Sequence, residues 1–327
     1  MMLRARLAIV MVLALPLAGC ASGSDGPSEP RGARMPAQEE KVPSQPPKVE
    51  PWVAGSGEDQ AEAKELAARI AQTALRYPRG SSALEVAERV AGPGAPAKAL
   101  APTISAAVRP QWRSWARVVY PQLSGLGIDT VGTMVVVDQT VESPAGDRTT
   151  FRRVLDIRLR RAGEGYALDL LGSIGGDPVQ RPADLSPAAS RIVDDPRITL
   201  SDSARWDIYR GKVDDGLIEA ILAIAERHTV AIGPLVSGHP LNVWETARVS
   251  AHSQGLAADI YAVDGELVAE QRSSSATAAN QMAAGFLEGG AVQVGSPLLV
   301  PEAGVRSLTD GVHQDHVHVQ QSSAAAP

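Results

Sequence analysis

The stretch Ser250-Ala251-His252-Ser253-Gln254-Gly255-Leu256-Ala257-Ala258-Asp259-Ile260 places a histidine and a carboxylate seven positions apart. On one straight strand His252 and Asp259 would be about 23 Å apart, and along one helix about 10 Å, too far to bind a common ion. Gly255 lies nearly midway and can adopt the positive φ that a chain reversal needs. The sequence therefore predicts a reversal at Gly255 that brings Asp259 beside His252, followed by a short buried strand over residues 256–263.

A second polar group, Asp315-His316-Val317-His318, lies about sixty residues further along the chain. If Val317 and Val319 point into the core of a strand, His316 and His318 share its opposite face. Two histidines and one carboxylate form a common catalytic zinc site, in which the fourth position is left to water. The two stretches together predict such a Zn²⁺ site.

The motif Ser250-x-His252-x-x-Gly255-x-Ala257-x-Asp259, with a later Asp-x-x-His that ends at His318, resembles the zinc DD-peptidase superfamily. That superfamily includes D-alanyl-D-alanine carboxypeptidases and dipeptidases, phage endolysin peptidases and, by fold, the hedgehog signalling domain. The resemblance covers roughly residues 200–321. It implies a hedgehog-like α+β domain with His252, Asp259 and His318 as zinc ligands and Asp315 as general base.

The residue that transfers the proton is less clearly defined by the sequence. A strand that starts at residue 315 turns Asp315 away from His318, so geometry alone favours His316 as the proton-handling group. If the strand starts at His316, both side chains reach the site. We then expect Asp315 to be the base, as the resemblance implies, and His316 and Arg248 to stabilise the developing oxyanion. The spacing of His313, His316 and His318 is also similar to that of penicillin-insensitive murein endopeptidases, in which histidines beside the metal share the catalytic work.

Substrate-binding residues are expected around the same site. Residues 237–240 are Ser-Gly-His-Pro, where many members of the superfamily have Ser-Gly-Tyr-Arg with a substrate-gripping arginine. A neutral imidazole at His239 binds a carboxylate more weakly than a bidentate guanidinium, so we expect an endopeptidase rather than a carboxypeptidase. Arg248 either replaces that arginine or forms a surface salt bridge. His313 contacts the substrate or belongs to a loop, and Ser250 contacts the substrate or holds the loop of His252.

The beginning of the chain has the pattern of a secretory signal. Arg4 and Arg6 precede an apolar run over residues 7–17 that is short for a transmembrane helix, and Leu17-Ala18-Gly19-Cys20 resembles a bacterial lipobox. This predicts removal of residues 1–19 and lipidation of Cys20, the only cysteine, which leaves no thiol for an intramolecular disulfide. We therefore expect a lipid anchor in the cell membrane, an extracytoplasmic location and peptidoglycan peptides as the partner.

Composition divides the rest of the chain. Proline-rich residues 20–56 predict a disordered tether. The pattern of residues 57–182 predicts helices and then an antiparallel meander, an outline similar to NTF2-like domains. The expected helices cover residues 58–77, 82–90 and 110–120. The expected strands cover residues 131–141, 150–161 and 166–171. Trp112 and Trp115 are expected in the core of the third helix, or in a ligand pocket. Residues 183–199 are interpreted as a linker and residues 200–327 as the DD-peptidase-like domain.

The net charge of −6 and the absence of a basic cluster exclude nucleic-acid binding. Two further readings remain besides a zinc peptidase. The first is a non-catalytic zinc-containing lipoprotein that binds cell wall or another protein, because a fold alone does not define an activity. The second makes the NTF2-like domain the working part, with a small apolar ligand. A base at Asp315 or His316 would favour the enzyme, because a binding protein does not need one.

Overall fold

The structure, a computed structural model, describes residues 44–92 and 95–323. These residues form a mixed α+β fold with 29% helix and 29% strand, which confirms the expected class. The signal sequence, Cys20 and the tether up to residue 43 lie outside the described residues. Within the described ranges, none of the helices has both the length and the apolar character needed to cross a membrane.

The N-terminal part consists of three helices followed by four strands. They are α1 (Ala61–Leu75), α2 (Ala83–Val90), α3 (Ala97–Ser105), β1 (Arg113–Leu126), β2 (Thr130–Glu142), β3 (Arg148–Ala162) and β4 (Gly165–Ser173). The strands form one antiparallel sheet in the order β1-β2-β3-β4, here called the first sheet. The helices cover one of its faces, where Leu155, Ile157 and Leu159 of β3 point into a shared apolar core.

The prediction of a helix over residues 110–120 is wrong. Strand β1 begins at Arg113, and helix α3, which the sequence did not predict, lies before it. Trp115 is therefore a strand residue. Pro121, in the middle of β1, has no N–H to donate, and it is tolerated because β1 is an edge strand of the first sheet.

The tether is shorter than the sequence predicted. Residues 44–56 lie against the N-terminal part and are held by its side chains. Gln72 donates to the carbonyl of Glu50 at 3.0 Å, and the amide of Ala54 donates to Glu65 at 3.1 Å. Trp52 makes an edge-to-face contact with Tyr120, with ring centroids 6.3 Å apart.

The C-terminal part contains four α-helices and seven short strands within the described residues. They are α4 (Pro187–Asp194), β5 (Ile198–Leu200), α5 (Asp202–Tyr209), α6 (Asp215–Ala225), β6 (Val230–Ile232), β7 (Ala257–Val263), β8 (Glu266–Leu267), α7 (Ala278–Glu288), β9 (Gln293–Gly295), β10 (Ser307–Leu308) and β11 (Val317–Gln320). They form the second sheet, in the order β10-β9-β11-β7-β6-β5, with β8 paired to β7. The expected linker at residues 183–199 is wrong, because it contains α4 and begins β5.

The two sheets belong to one compact unit and pack against each other. Tyr120, Met134, Val136 and Val154 of the first sheet form a small apolar cluster with Tyr261 of β7. The rings of Tyr120 and Tyr261 are stacked, 6.4 Å apart and 15° from parallel. The opposite face of the second sheet is covered by α4, α6 and α7. The face of β7 that carries Tyr261 is therefore enclosed by the N-terminal part.

Candidate metal centre

The reversal before β7 forms as the sequence predicted. His252–Gln254 is a single turn of 3-10 helix, and Gly255 follows it with φ of 73°. A Cβ at Gly255 would lie 1.9 Å from the carbonyl oxygen of Lys212, so both the backbone conformation and the space require glycine. Strand β7 then runs back past the turn and carries Asp259 to His252.

The pairing of the two central strands brings in the second histidine. In the antiparallel pair β7 and β11, His318 is the direct partner of Asp259. Val317 and Val319 are fully buried in the core under the helices. His316 and His318 therefore share the opposite face, and this confirms the alternation expected from the sequence.

Three potential ligand atoms meet at this point. Asp259 Oδ1 lies 3.1 Å from His252 Nε2 and 2.9 Å from His318 Nδ1, and the two nitrogens are 3.2 Å apart. Zinc with ligands at 2.0–2.1 Å in a tetrahedron needs ligand atoms roughly 3.3 Å apart. The three side chains expected as ligands are thus brought together at close to the spacing that such an ion requires.

The hydrogen bonds around these atoms determine which of them could bind a cation. His252 Nδ1 lies 2.7 Å from the carbonyl oxygen of Leu235, an acceptor, so Nδ1 donates to it, and a neutral His252 would present a lone pair at Nε2. Burial lowers the pKa of His318 to about 4, which keeps this imidazole neutral. Burial alone would raise the pKa of Asp259, but His252 and His316 outweigh it and hold that pKa well below its ordinary value. One anion beside two imidazole nitrogens is a set of groups that could share a proton or hold a cation.

His239 belongs to the same cluster. Its ring stacks on that of His252, with centroids 3.9 Å apart, and its Nδ1 lies 2.8 Å from the carbonyl oxygen of Pro240. Burial and the neighbouring His252 lower the pKa of His239 well below the ordinary value, so it too offers a neutral nitrogen. The ligand atoms of His239, His252 and Asp259 lie within 4.8 Å of one another and could hold a metal ion. The trio with His318 is tighter, and the two sets share His252 and Asp259.

The Asp315 carboxylate faces away from these ligand atoms. Its Oδ2 accepts from Lys64 Nζ at 2.5 Å and from the amide of Leu123 at 2.9 Å. Its Oδ1 lies 2.8 Å from His316 Nδ1, while His316 Nε2 lies 3.8 Å from Asp259 Oδ1. His316 is therefore the group that reaches the centre, and Asp315 orients it from behind.

The charges of this pair fit that arrangement. Burial alone would raise the pKa of Asp315, but Lys64 and the hydrogen bond with His316 lower it below the ordinary value. Burial alone would lower the pKa of His316, but Asp259 and Asp315 raise it. Asp315 is thus held as an anion beside an imidazole that readily accepts a proton.

The remaining expected site residues lie around the centre. Ser250 is buried, and its Oγ accepts the amide of His252 at 3.3 Å, which favours the loop-holding role over contact with a substrate. His313 bonds to Asp310 at 2.8 Å, with its ring 5.1 Å from that of His316. Arg248 is exposed and lines the cleft above the histidines. His228, outside this group, pairs with Asp264 at 2.9 Å.

The centre lies at the bottom of a cleft of about 570 Å³ with walls from both parts of the chain. This volume is within the roughly 300–1,000 Å³ of sites that enclose small ligands. One wall is Trp244, whose indole lies on Gly125 and Gly132, two glycines paired across β1 and β2. A Cβ on Gly125 would be 2.1 Å from Trp244 Cδ2, so only glycine leaves room for the ring.

Four groups at the centre were not found by sequence reasoning: Lys64, Gln122, Trp244 and the carbonyl of Leu235. Gln122 donates from Nε2 to Asp259 Oδ2 at 3.0 Å. Lys64 and Gln122 precede Asp315 and Asp259 by more than a hundred residues, and no local motif marks them. Only the packing of the two sheets reveals them.

Comparison of the chain with protein-family models, with curated proteins and with solved structures gives no match. The assignment of a function therefore depends on the chemistry of the centre itself.

Proposed function

We propose that the protein is a membrane-anchored zinc metallopeptidase that hydrolyses peptide bonds in peptidoglycan stem peptides or cross-links. The observation that carries this proposal is the convergence of His252 Nε2, Asp259 Oδ1 and His318 Nδ1 at mutual distances of 2.9–3.2 Å at the bottom of a cleft. Two imidazoles and one carboxylate are the donor set of many catalytic zinc sites. The resemblance to zinc DD-peptidases and to their hedgehog-like fold points the same way.

A bound Zn²⁺ would supply Lewis acidity, polarising the scissile carbonyl and acidifying water. His316 Nε2 takes a proton from the attacking water and returns it to the leaving amine nitrogen, as the C–O bond forms and the C–N bond breaks. Asp315 keeps His316 in the tautomer with the proton on Nδ1, which leaves Nε2 free. In this proposal the base is His316, and the role expected for Asp315 becomes that of orienting it.

The substrate follows from the expected location and from the cleft. The predicted lipid anchor on Cys20 would place the cleft outside the membrane, where peptidoglycan peptides are at hand. Arg248 at the rim suits an anionic group of such a peptide. His239 stacks on His252 at the metal end and offers no positive charge for a terminal carboxylate, so a cut within a cross-link is preferred over removal of a terminal residue.

The test compares zinc content and hydrolysis in the full chain and two histidine variants. We expect the wild type to bind one Zn²⁺ and to release new amine termini from cross-linked muropeptides. In His318→Ala, zinc affinity should fall by more than the roughly 10–100-fold that loss of an outer partner costs. His228→Ala is the matched control and should bind and cleave like the wild type. Equal zinc binding in wild type and His318→Ala would refute the site.

A zinc-containing protein that binds cell-wall peptide without cleaving it is the second candidate. One observation favours it: the carboxylate of Asp315, the expected base, is already hydrogen-bonded to Lys64, His316 and the Leu123 amide. Tight zinc and muropeptide binding with no product after prolonged incubation would support this alternative over the peptidase.

A further inference from the structure

We infer that the N-terminal part is a working component of the metal centre, in which Gln122 positions the metal ligand Asp259 and Lys64 positions Asp315 behind His316. The inference deepens the proposed function and depends on the metal site proposed there. It gives the N-terminal part a role at the metal centre, which neither reading of that part from the sequence had suggested.

Gln122 controls the orientation of the Asp259 carboxylate. Its Nε2 donates to Oδ2 at 3.0 Å, while Oδ1 faces the two histidines. A carboxylate held by one oxygen presents the other to a metal in a fixed direction, and such outer hydrogen bonds tune ligand affinity. The amide cannot be reversed without placing its oxygen against an anion.

The packing of the two sheets explains why Gln122 reaches Asp259. Tyr120 lies two residues before Gln122 on β1, and Tyr261 lies two residues after Asp259 on β7. Alternation places each pair on one face of its strand. The stacked rings of Tyr120 and Tyr261 therefore fix the spacing at which Gln122 faces Asp259.

Lys64 of α1 completes the second contact. Its ammonium is fully buried and bonds to Asp315 Oδ2 at 2.5 Å, to the hydroxyl of Tyr120 at 3.1 Å and to Glu58. Asp315 is also fully buried, and removing one partner of such a pair leaves an uncompensated charge. With Oδ2 held by Lys64 and the Leu123 amide, only Oδ1 is left to orient His316.

Replacing Gln122 has two opposing effects on the stability of the fold. Gln122 is fully buried, and its Oε1 has no hydrogen-bond partner among the residues that the structure describes. Leucine would remove the cost of that unpaired carbonyl, but it would also leave the buried Oδ2 of Asp259 without its amide donor. Zn²⁺ affinity, rather than stability alone, therefore separates a positioning role from a structural one.

The first experiment measures the affinity for Zn²⁺ of the full chain by chelator competition, together with urea unfolding of the metal-free protein. Gln122→Leu should bind Zn²⁺ about 10–100-fold more weakly than the wild type, and the folded fraction from urea unfolding shows that this loss is not caused by unfolding. The matched control is Gln139→Leu in the same sheet, since the buried Gln139 amide bonds to Ser114 and Arg153. That variant should lose stability and keep its affinity. Wild-type affinity in Gln122→Leu would overturn the role of Gln122.

The second experiment tests Lys64 with Lys64→Gln and Lys64→Arg. In Lys64→Gln we expect unchanged Zn²⁺ affinity and KM, a kcat lower by about 10–100-fold, and a mixture of His316 tautomers in nitrogen NMR spectra. Lys64→Arg should restore the wild-type tautomer and most of kcat. Arg113→Gln breaks another buried pair in the same part, with Glu142 at 2.7 Å, and should alter stability alone.

These readouts separate the inference from the proposed function. A wild-type chain that binds Zn²⁺ but cleaves no muropeptide would refute the peptidase, and Zn²⁺ affinity and the His316 tautomer would still decide the roles of Gln122 and Lys64. Suppose that the wild type cleaves muropeptides and that Lys64→Gln has a normal kcat and the wild-type His316 tautomer. This result would overturn the role of Lys64 and leave the proposed peptidase activity standing. If Lys64→Gln fails to fold, Lys64→Arg decides the role of Lys64: the wild-type His316 tautomer and most of kcat are expected, and a stable Lys64→Arg with a mixture of tautomers and unchanged kcat would overturn it.

Discussion

Gly125→Ala should push the Trp244 indole off the first sheet. The added Cβ would lie 2.1 Å from Cδ2 and 2.2 Å from Cγ of the ring, against the roughly 3.5–4.0 Å of a relaxed carbon contact. The indole must therefore move by about 1.5 Å. Such overpacking costs about 1–3 kcal/mol, and we expect unfolding in urea to require that much less free energy.

The sign of the effect should reverse when the ring is absent. The φ of Gly125 is not in the left-handed region, so alanine fits the backbone and removes freedom from the unfolded chain. In a Trp244→Ala background, Gly125→Ala should stabilise the protein by about 0.4–1 kcal/mol. The coupling between the two sites should thus reach about 2 kcal/mol.

Urea unfolding of the wild type, both single variants and the double variant measures this coupling. Gly55→Ala is the control, because a Cβ there meets nothing within 4 Å. If Gly125→Ala has the same effect in both backgrounds to within about 0.5 kcal/mol, the two sites are independent and Trp244 does not rest on the first sheet.

Two further variants test the electrostatics and the turn. Burial alone would raise the pKa of Glu142, but Arg148 and Arg113 lower that pKa below its ordinary value. The ionised carboxylate therefore stabilises the fold above the unfolded pKa of about 4.3, and this stabilisation is lost as the pH falls through the lowered folded pKa. Glu142→Gln should lower the stability by about 1.5–3 kcal/mol at pH 7. In thermal melts at successive pH values, the difference in stability from the wild type should shrink below about pH 4, and a constant difference would contradict this. Gly255→Ala combines a left-handed backbone with a Cβ at 1.9 Å from Lys212, and it should cost about 2–4 kcal/mol in urea unfolding and weaken Zn²⁺ binding; unchanged values would contradict the turn geometry.

Local signals in the sequence were sufficient to predict that the three expected ligands come together at the centre. Gly255 between His252 and Asp259 requires a reversal, and the valines around His318 determine which face of the strand it occupies. These signals act over a few residues, so a single sequence contains them. The same holds for helix α2, which begins at the Ser82 capping box.

The errors occur where distant contacts outweigh local preference. Pro110 is a good first residue for a helix, yet the following segment becomes β1 because it pairs along its whole length with β2. Pro187 follows the capping Ser186 and does start a helix, α4, but the proline-rich surroundings were read as a linker. Asp315 was expected to face the metal, and the buried Lys64 from a helix 251 residues away holds its carboxylate elsewhere.

Strand β11 comes last among the strands of the described residues, yet it pairs with β7 on one side and β9 on the other. During synthesis, the edges of β7 and β9 that pair with β11 stay unpaired until residues 317–320 leave the ribosome. Unpaired edges invite pairing with other chains, so a pause or a premature stop late in translation should be especially prone to cause aggregation. Because His318 is carried by that strand, a chain cut short before it would lack one of the proposed metal ligands as well as the middle of the sheet.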